Sequence, residues 1–547
     1  MPNIRVVLSL AGALQLFCFA QACSSGDDSP NGSSSSAAGA HPSTTKADAG
    51  KAGSGSTGKT NGTTAPHGDA GQATSGSSSS GGSSGKNGMP SSGGAQADGG
   101  VHVSTSGLVT YQHDIRPVLE NNCVECHTAG GLGPSTLDDW PTVQKLGAAF
   151  VSAVGTGAMP PWPASSDCHP LADSRALPQE TKDLFAKWQS DGFQEGELSE
   201  YVAPTKTRRR DLGNPALVKK GSEPFTPAVN ADSYRCFFAG TVDTDTFVSA
   251  LDIVPSMRAE VHHVILYRVA AADVAMIKST DDQASGGGYP CNSGGVGTFT
   301  SAQNLFSYRP GGVAVLLEEG DAVYLKAGSG LVLQIHYNTQ FLPSGTSPGP
   351  DQTEVRIWTV PEDKKPDRVI FRTGLLGPLN GTSDGTGGAA FGGAGASIPA
   401  NSTTVGSTTL KMSGVSVIGP GLTTGAVQGP FVPGEIVGMT PHAHSWAKHM
   451  FANLTPGGGS KQCLIDIPNW DFNWQMDYMF STPVPYGPDD MLHLECDYDN
   501  TAAHQPTVNG MKHPVQTVTF GENTLNEMCE HYLWLRFKFA DFTAANR

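Results

Sequence analysis

Apolar positions along this chain change their rhythm three times, and each rhythm predicts a different kind of structure. Between Val6 and Ala20 they form a nearly continuous run behind one early charge, Arg5, and the run closes on the small residues Ala20-Gln21-Ala22. The run is too short to cross a bilayer as a stable helix, and its layout is that of a secretory signal over residues 1–22. From Ser24 to about Gly107 apolar residues nearly vanish among Ser, Gly, Ala, Thr and Asn. Such a stretch buries too little to offset the entropy of ordering, so residues 23–107 read as a disordered tether. About 80 residues of this kind form a coil with an end-to-end distance on the order of 50 Å.

Helical spacing comes next. Tyr111 to Asn122 is a short amphipathic segment, and Leu184, Phe185 and Trp188 predict a closing helix over residues 177–191. From about Ser222 the pattern shortens to β-branched and aromatic runs at 246–254, 313–317, 331–338, 355–360 and 531–539, punctuated by Gly, Pro, Asn and Asp. These are strands of β-sandwiches. About 325 residues exceed one sandwich, so two are expected, dividing near residues 366–374. The expected layout is therefore a long disordered N-terminal tether, a small all-α domain over 108–200, a linker over 201–221, and two all-β sandwich subdomains over 222–368 and 369–547.

Chemistry is written into both parts. Cys123-Val124-Glu125-Cys126-His127 is a Cys-x-x-Cys-His haem attachment signature, in which two thiols form thioethers and the histidine is the proximal iron ligand. Met159, in the Pro-rich turn Gly157-Ala158-Met159-Pro160-Pro161-Trp162, is the expected sixth ligand, because His/Met ligation suits electron transfer. The segment resembles a small cytochrome c domain carrying one covalent haem c. A zinc site from Cys123, Cys126, Cys168 and His169 is the competing reading, but it leaves His127 and the Met-Pro-Pro-Trp turn unexplained.

Farther on, His262-His263, His336, His442-x-His444 and Met528 are raw material for two copper sites, since imidazole suits copper and a thioether holds Cu(I). Alternation along a strand puts His442 and His444 on one side, and it puts Met528, Glu530 and Tyr532 on a face that Cys529 leaves. The adjacent His262 and His263 reach one ion only if a bulge or a strand end re-aims one of them.

The formal charge of −16 is dispersed, and the only cationic cluster, Arg208-Arg209-Arg210, falls in the linker, so nucleic acid is not an expected partner. Of the ten cysteines, Cys18 leaves with the signal. Ala20-Gln21-Ala22-Cys23 resembles a bacterial lipobox with Cys23 lipidated, and Ser24 after it leans toward the outer membrane. The protein is thus expected to be exported and held in the cell envelope by a lipid anchor alone. With Cys123 and Cys126 claimed by haem, Cys168, Cys236, Cys291, Cys463, Cys496 and Cys529 remain for disulfides, with fifteen possible pairings.

The order His262-His263-Val-Ile-Leu-Tyr267, Leu333-Gln334-Ile335-His336-Tyr337, His442-x-His444, Glu527-Met528-Cys529 resembles the copper type II, ascorbate-dependent monooxygenases over roughly residues 222–541. That resemblance implies two jelly-roll-like subdomains facing each other across a solvent gap. It implies one copper on His262, His263 and His336 that passes an electron. A second, on His442, His444 and Met528, binds O2 and attacks a substrate C–H bond, with Tyr532 near the chemistry. It also implies a Cys496–Cys529 pair, and ascorbate as reductant. Peptide-amidating members hold a substrate carboxylate with an arginine two residues before His-x-His and an asparagine two after the methionine. Here these positions are Thr440 and Glu530, so the substrate is expected to be neutral or cationic, with Thr440, Glu530 and Tyr532 lining its pocket. The fused haem points to a redox protein as an alternative electron donor. A haem and copper electron carrier or sensor without oxygenase activity is the second reading. A binding module, indifferent to loss of Met528, is the third.

Overall fold

The structure is a computed structural model that describes residues 107–541, except 130, 132, 134, 173, 206–211, 292–295, 297–301, 311, 313, 341, 343–344, 384–394, 416–430, 509–510 and 522. The signal run, Cys23, the tether and the Arg208-Arg209-Arg210 triplet lie outside the described residues.

The N-terminal part is helical. A π-helical turn, Tyr111–Ile115, runs into α1 (Arg116–Asn122), and α2 (Trp140–Gly155) starts where the Asp139 carboxylate accepts the Thr142 amide at 2.9 Å. That bond satisfies one of the donors a helix start leaves open. α3 (Gln179–Ser190) closes the unit, burying Phe185 and Trp188 against Tyr111, Ile115, Leu119, Val143 and Val154. The expected closing helix is α3; α2 was not anticipated.

Between α2 and α3 the chain leaves the helical unit and crosses the C-terminal β-structure as a strap. Ser165 donates its amide to Asp466, Ala172 to Met479, and the His169 imidazole bonds the Thr482 carbonyl at 2.7 Å. Ala164 is buried in the C-terminal core, the Trp162 ring packs edge-on against Tyr478, and Cys168 is bonded to Cys463. The disulfide removes Cys168 from any zinc set with Cys123 and Cys126. The strap interrupts the helical unit because its own apolar side chains find a deeper core on the sandwich.

The β-structure consists of β1 (Leu217–Lys220), β2 (Asp232–Thr241), β3 (Thr246–Val254), β4 (Val261–Val269), β5 (Gln303–Tyr308), β6 (Asp321–Leu325), β7 (Gly330–Asn338) and β8 (Glu354–Thr359) in its first half. The second half has β9 (Arg368–Leu376), β10 (Thr403–Lys411), β11 (Gly434–His442), β12 (Ala447–Thr455), β13 (Gln462–Ile467), β14 (Tyr478–Tyr486), β15 (Met491–Asp499) and β16 (Glu530–Lys538). One face of the first half is the sheet β2-β7-β4-β5, and one face of the second is β10-β15-β12-β13. The opposite faces are a single sheet, β1-β8-β3-β6-β9-β16-β11-β14, whose members belong to both halves. β7 is buried at every position, which fits a central strand covered on both sides. Its outer cover is α4 (Ala271–Gln283), which the sequence pattern did not reveal because Ile277 and Asp281 alone are buried in it.

The halves join where β9 pairs in parallel with β6, through Arg368 opposite Asp321 and Val369 opposite Ala322. Arg368 Nε donates to Asp321 at 2.5 Å, while Arg536 reaches Glu318, Asp321 and Glu435 at 2.6, 3.3 and 2.8 Å. Ile370, Val437 and Trp534 of the second half are buried in the core of the first. The two halves are therefore continuous through one sheet, and a shared sheet cannot open without breaking backbone hydrogen bonds.

Replacing Cys168 and Cys463 together by serine is expected to cost about 2–4 kcal/mol of stability. It is also expected to make residues 160–172 the first site of limited proteolysis. Urea midpoints and the N-termini of early fragments check both.

Candidate metal centre

His262 and His263 open β4, and His336 lies opposite them on β7. The register between these strands slips between Val261 and His263, so the ladder contains a bulge at His262. The bulge lets two consecutive side chains serve one side, as adjacent ligands require. The Nδ1 atoms of His262 and His263 lie 3.2 Å apart, and ligand atoms of His262, His263 and His336 lie within 4.8 Å of one another. Two nitrogens about 2.0 Å from one ion at a tetrahedral angle would be separated by about 3.3 Å. His336 Nε2 bonds Asp232 Oδ1 at 2.5 Å, and because a carboxylate only accepts, Nε2 carries the proton and Nδ1 keeps its lone pair. That Nδ1 is buried without a partner. Tyr234 stacks on the other face of His336, 4.2 Å between centroids, and fixes the ring. The set fits a metal ion with a carboxylate behind one imidazole.

The second set stands at the end of β11. His442 Nδ1 bonds Gln475 Oε1 at 2.5 Å, and His444 Nδ1 bonds the Asn526 carbonyl at 3.1 Å. Both partners accept, so both rings keep Nε2 free for a ligand bond. Glu527 accepts the amides of His444, Trp446 (2.9 Å) and Met528 (2.9 Å), so one buried carboxylate holds the His444 turn to the Met528 segment. Burial pushes its carboxyl up to about 7, against the pull of these amides. Met528 is buried, its carbonyl accepts the Tyr498 hydroxyl at 2.9 Å, and the neighbouring Cys529 is bonded to Cys496.

The two sets are close together. Ring centroids of His263 and His442 are 6.4 Å apart, and Phe472 stacks on His262 at 4.7 Å while lying 5.8 Å from His444. Burial, with the neighbouring charges after it, holds His262, His263 and His442 well below the usual imidazole range, and burial takes His444 down to about 4. Neutral imidazoles are the form that binds metal.

Thr440 does not face open space. It is fully buried, donates to Asp477 Oδ1 at 2.5 Å and accepts the Trp534 indole N–H at 3.0 Å. Glu530 and Tyr532 flank Gly374 on one face of β16, where a Cβ on Gly374 would strike both, and burial followed by the Glu530 charge pushes the Tyr532 hydroxyl well up. Asp232, Gln475, Phe472, Arg309 and Glu527 have positions at the site that sequence reasoning did not give them. A signal existed only for Glu527, one residue before Met528; the others come from segments with no spacing motif.

In the helical unit, His127 Nδ1 bonds the Ser135 carbonyl at 2.9 Å, leaving Nε2 for an axial bond, and Gly133 packs where any Cβ would collide with the His127 ring. Cys123 and Cys126 are the described cysteines outside disulfides, and burial raises the Cys126 thiol. Met159 is half-buried just beyond α2, its amide on the Ala153 carbonyl at 3.0 Å.

Residues 431–538 match the family model described as copper type II ascorbate-dependent monooxygenase, C-terminal domain. The match spans β11 to β16 and contains His442, His444 and Met528, and it supports the copper monooxygenase family for this chain. No curated protein matches. Among solved structures, the VP2 subviral particle of infectious bursal disease virus aligns at 8% identity over 62% of this chain and 76% of its own, with a TM-score of 0.16. Procruciferin, an 11S globulin from Brassica napus, aligns at 9% identity over 56% and 86%, with a TM-score of 0.08. Superpositions this poor carry no argument.

Asp232→Ala is expected to weaken metal binding at the His262, His263 and His336 set by about 10–100-fold, measured by chelator competition. Glu527→Ala strands buried amides and is expected to cost about 2–5 kcal/mol, while Glu527→Gln, which keeps one acceptor, costs less; thermal unfolding of the two variants checks the order.

Proposed function

We propose that this chain is a copper-dependent monooxygenase that hydroxylates a C–H bond of a small organic substrate. The reaction consumes R–H, O2, two electrons and two protons and yields R–OH and water. The observation that carries the reading is the convergence of two unlike ligand sets, three imidazoles on one side and His442, His444 and the Met528 segment on the other, with His263 and His442 at 6.4 Å. The family match over the second set supports it independently. Copper bound at these sets supplies one-electron transfer and O2 activation. The chain's own part is to keep the imidazoles neutral by burial and to orient them through Asp232, Gln475 and the Asn526 carbonyl.

The electron supply is the finer part of the proposal. Either ascorbate or a redox protein delivers electrons, in the latter case through a haem c on Cys123, Cys126, His127 and Met159. What supports the haem route is position: Glu125, between Cys123 and Cys126, lines the same cavity as Tyr308, Arg309 and Gln475, and Gln475 holds His442. We further propose an exported protein anchored by lipid at Cys23, with no other membrane attachment; among the described residues no helix is long and apolar enough to cross a membrane.

Metal analysis is expected to give two coppers and one haem per chain. Met528→Ala is expected to retain His262/His263/His336 copper while losing substrate-dependent O2 uptake; uptake at wild-type rate would overturn the oxygenase assignment. In stopped-flow, pre-reduced haem is expected to reoxidise on mixing with O2 and substrate only when copper is loaded, and a haem that stays reduced would remove the relay.

A further inference from the structure

Next to the second histidine set lies a buried polar network with more cation than anion. Arg372 Nη1 donates to Asn304 Oδ1 at 2.7 Å and to Ser307 Oγ at 2.6 Å, and its Nη2 reaches Asp477 Oδ1 at 3.4 Å. Arg309 Nη1 reaches the same oxygen at 3.5 Å, and Thr440 donates to it as well. The two guanidinium side chains are 1% and 9% exposed, and the Nε of each is buried without a partner. Both ion-pair contacts are longer than the roughly 2.7–2.9 Å of a tight charge-assisted bond, so Asp477 saturates neither fork. Arg372 is otherwise satisfied by neutral acceptors and by the Tyr532 ring, 4.4 Å away. Arg309 is not.

Two buried cations against one carboxylate leave a surplus positive charge, which is costly in a low-dielectric interior unless a further anion is supplied. Arg309 also borders empty space: a cavity of about 580 Å³ is lined by Arg309, Gln475 and Asp477, and elsewhere by the carboxylates of Glu125, Asp252, Glu318 and Asp321, matched in number by Arg175, Arg258, Arg356 and Arg536, so the cationic surplus is local to Arg309 and Arg372. The cavity lies in the size range of small-molecule sites. The cavity wall includes Gln475, whose amide oxygen holds His442 at 2.5 Å, so it ends one side chain from the second ligand set.

We propose that this cavity binds a small organic acid, its carboxylate on the Arg309 fork and its hydrocarbon part directed along Gln475 toward His442 and His444. The binding stands on the network alone; that the acid is also the substrate rests on the oxygenase reading. The inference reverses the expectation of a neutral or cationic substrate. That expectation assumed that Thr440 and Glu530 line the pocket, whereas the Thr440 hydroxyl is committed to Asp477 and neither residue is part of this cavity's wall.

The test is calorimetric titration of the full chain, metal-free and copper-loaded, with benzoate and phenylacetate against benzylamine, phenethylamine and benzyl alcohol. The carboxylates are expected to bind at least about tenfold tighter than the amines and the alcohol. Arg309→Gln is expected to remove that advantage, and Arg309→Lys to retain most of it, with copper content and thermal midpoint showing that the variants are folded. Amines binding as well as carboxylates, no carboxylate binding up to about 10 mM, or an unchanged carboxylate affinity in Arg309→Gln overturns the proposal. If Arg309→Gln does not fold, the wild-type comparison of acids with amines decides it. O2 uptake with the same probes separates the two readings: tight acid binding without uptake supports the cavity and counts against the oxygenase.

Discussion

The pairing of β6 with β9 is the constraint on which the rest of this structure depends. Two β-sandwiches could be joined by a flexible linker, but here one sheet runs through both, with Arg368 and Arg536 drawing Asp321, Glu318 and Glu435 onto the joint. Removing one partner of such a cluster would leave buried charge uncompensated, so the joint tolerates little displacement. Arg372 adds a second stitch, reaching from β9 to Asn304 and Ser307 on β5. Because the halves cannot slide independently, the histidines at the end of β11 and those on β4 and β7 face each other at fixed range.

Within that frame, the chemistry is controlled by what stands behind each imidazole. Asp232, Gln475 and the Asn526 carbonyl each accept from one ring nitrogen and so decide which nitrogen is left for a metal. Burial keeps the rings uncharged, so no proton has to be displaced before an ion enters. The same burial makes charge scarce and consequential. A single carboxylate, Asp477, shared between two arginines and a threonine hydroxyl, sits where any ligand of the adjoining cavity must come to terms with it.

The helical unit is held by comparable means. Its strap over β13 and β14 is fixed by a disulfide, by Trp162 against Tyr478 and by backbone bonds to Asp466 and Met479. These bonds tie the segment between α2 and α3 to the C-terminal β-structure covalently as well as by packing.

Much of this was legible in the residues. Period-two runs located β3 at Thr246–Val254 and β7 within a residue of its observed start, because strand formation there follows local alternation of apolar side chains. The Cys-x-x-Cys-His segment, the paired histidines and the methionine are short-range patterns, and strand geometry alone requires that one of His262 and His263 be re-aimed, which the structure does with a bulge. What the chain order could not contain is which distant groups meet. Cys168 with Cys463, Asp232 behind His336, Gln475 behind His442, and Arg309 beside both histidine sets are contacts between segments whose separation carries no periodic signal. The sequence by itself determined the ligand types and the strands that bear them. Only the tertiary structure decided how close the two sets stand and what charge surrounds them, because both depend on the register between strands that fold far apart in the chain.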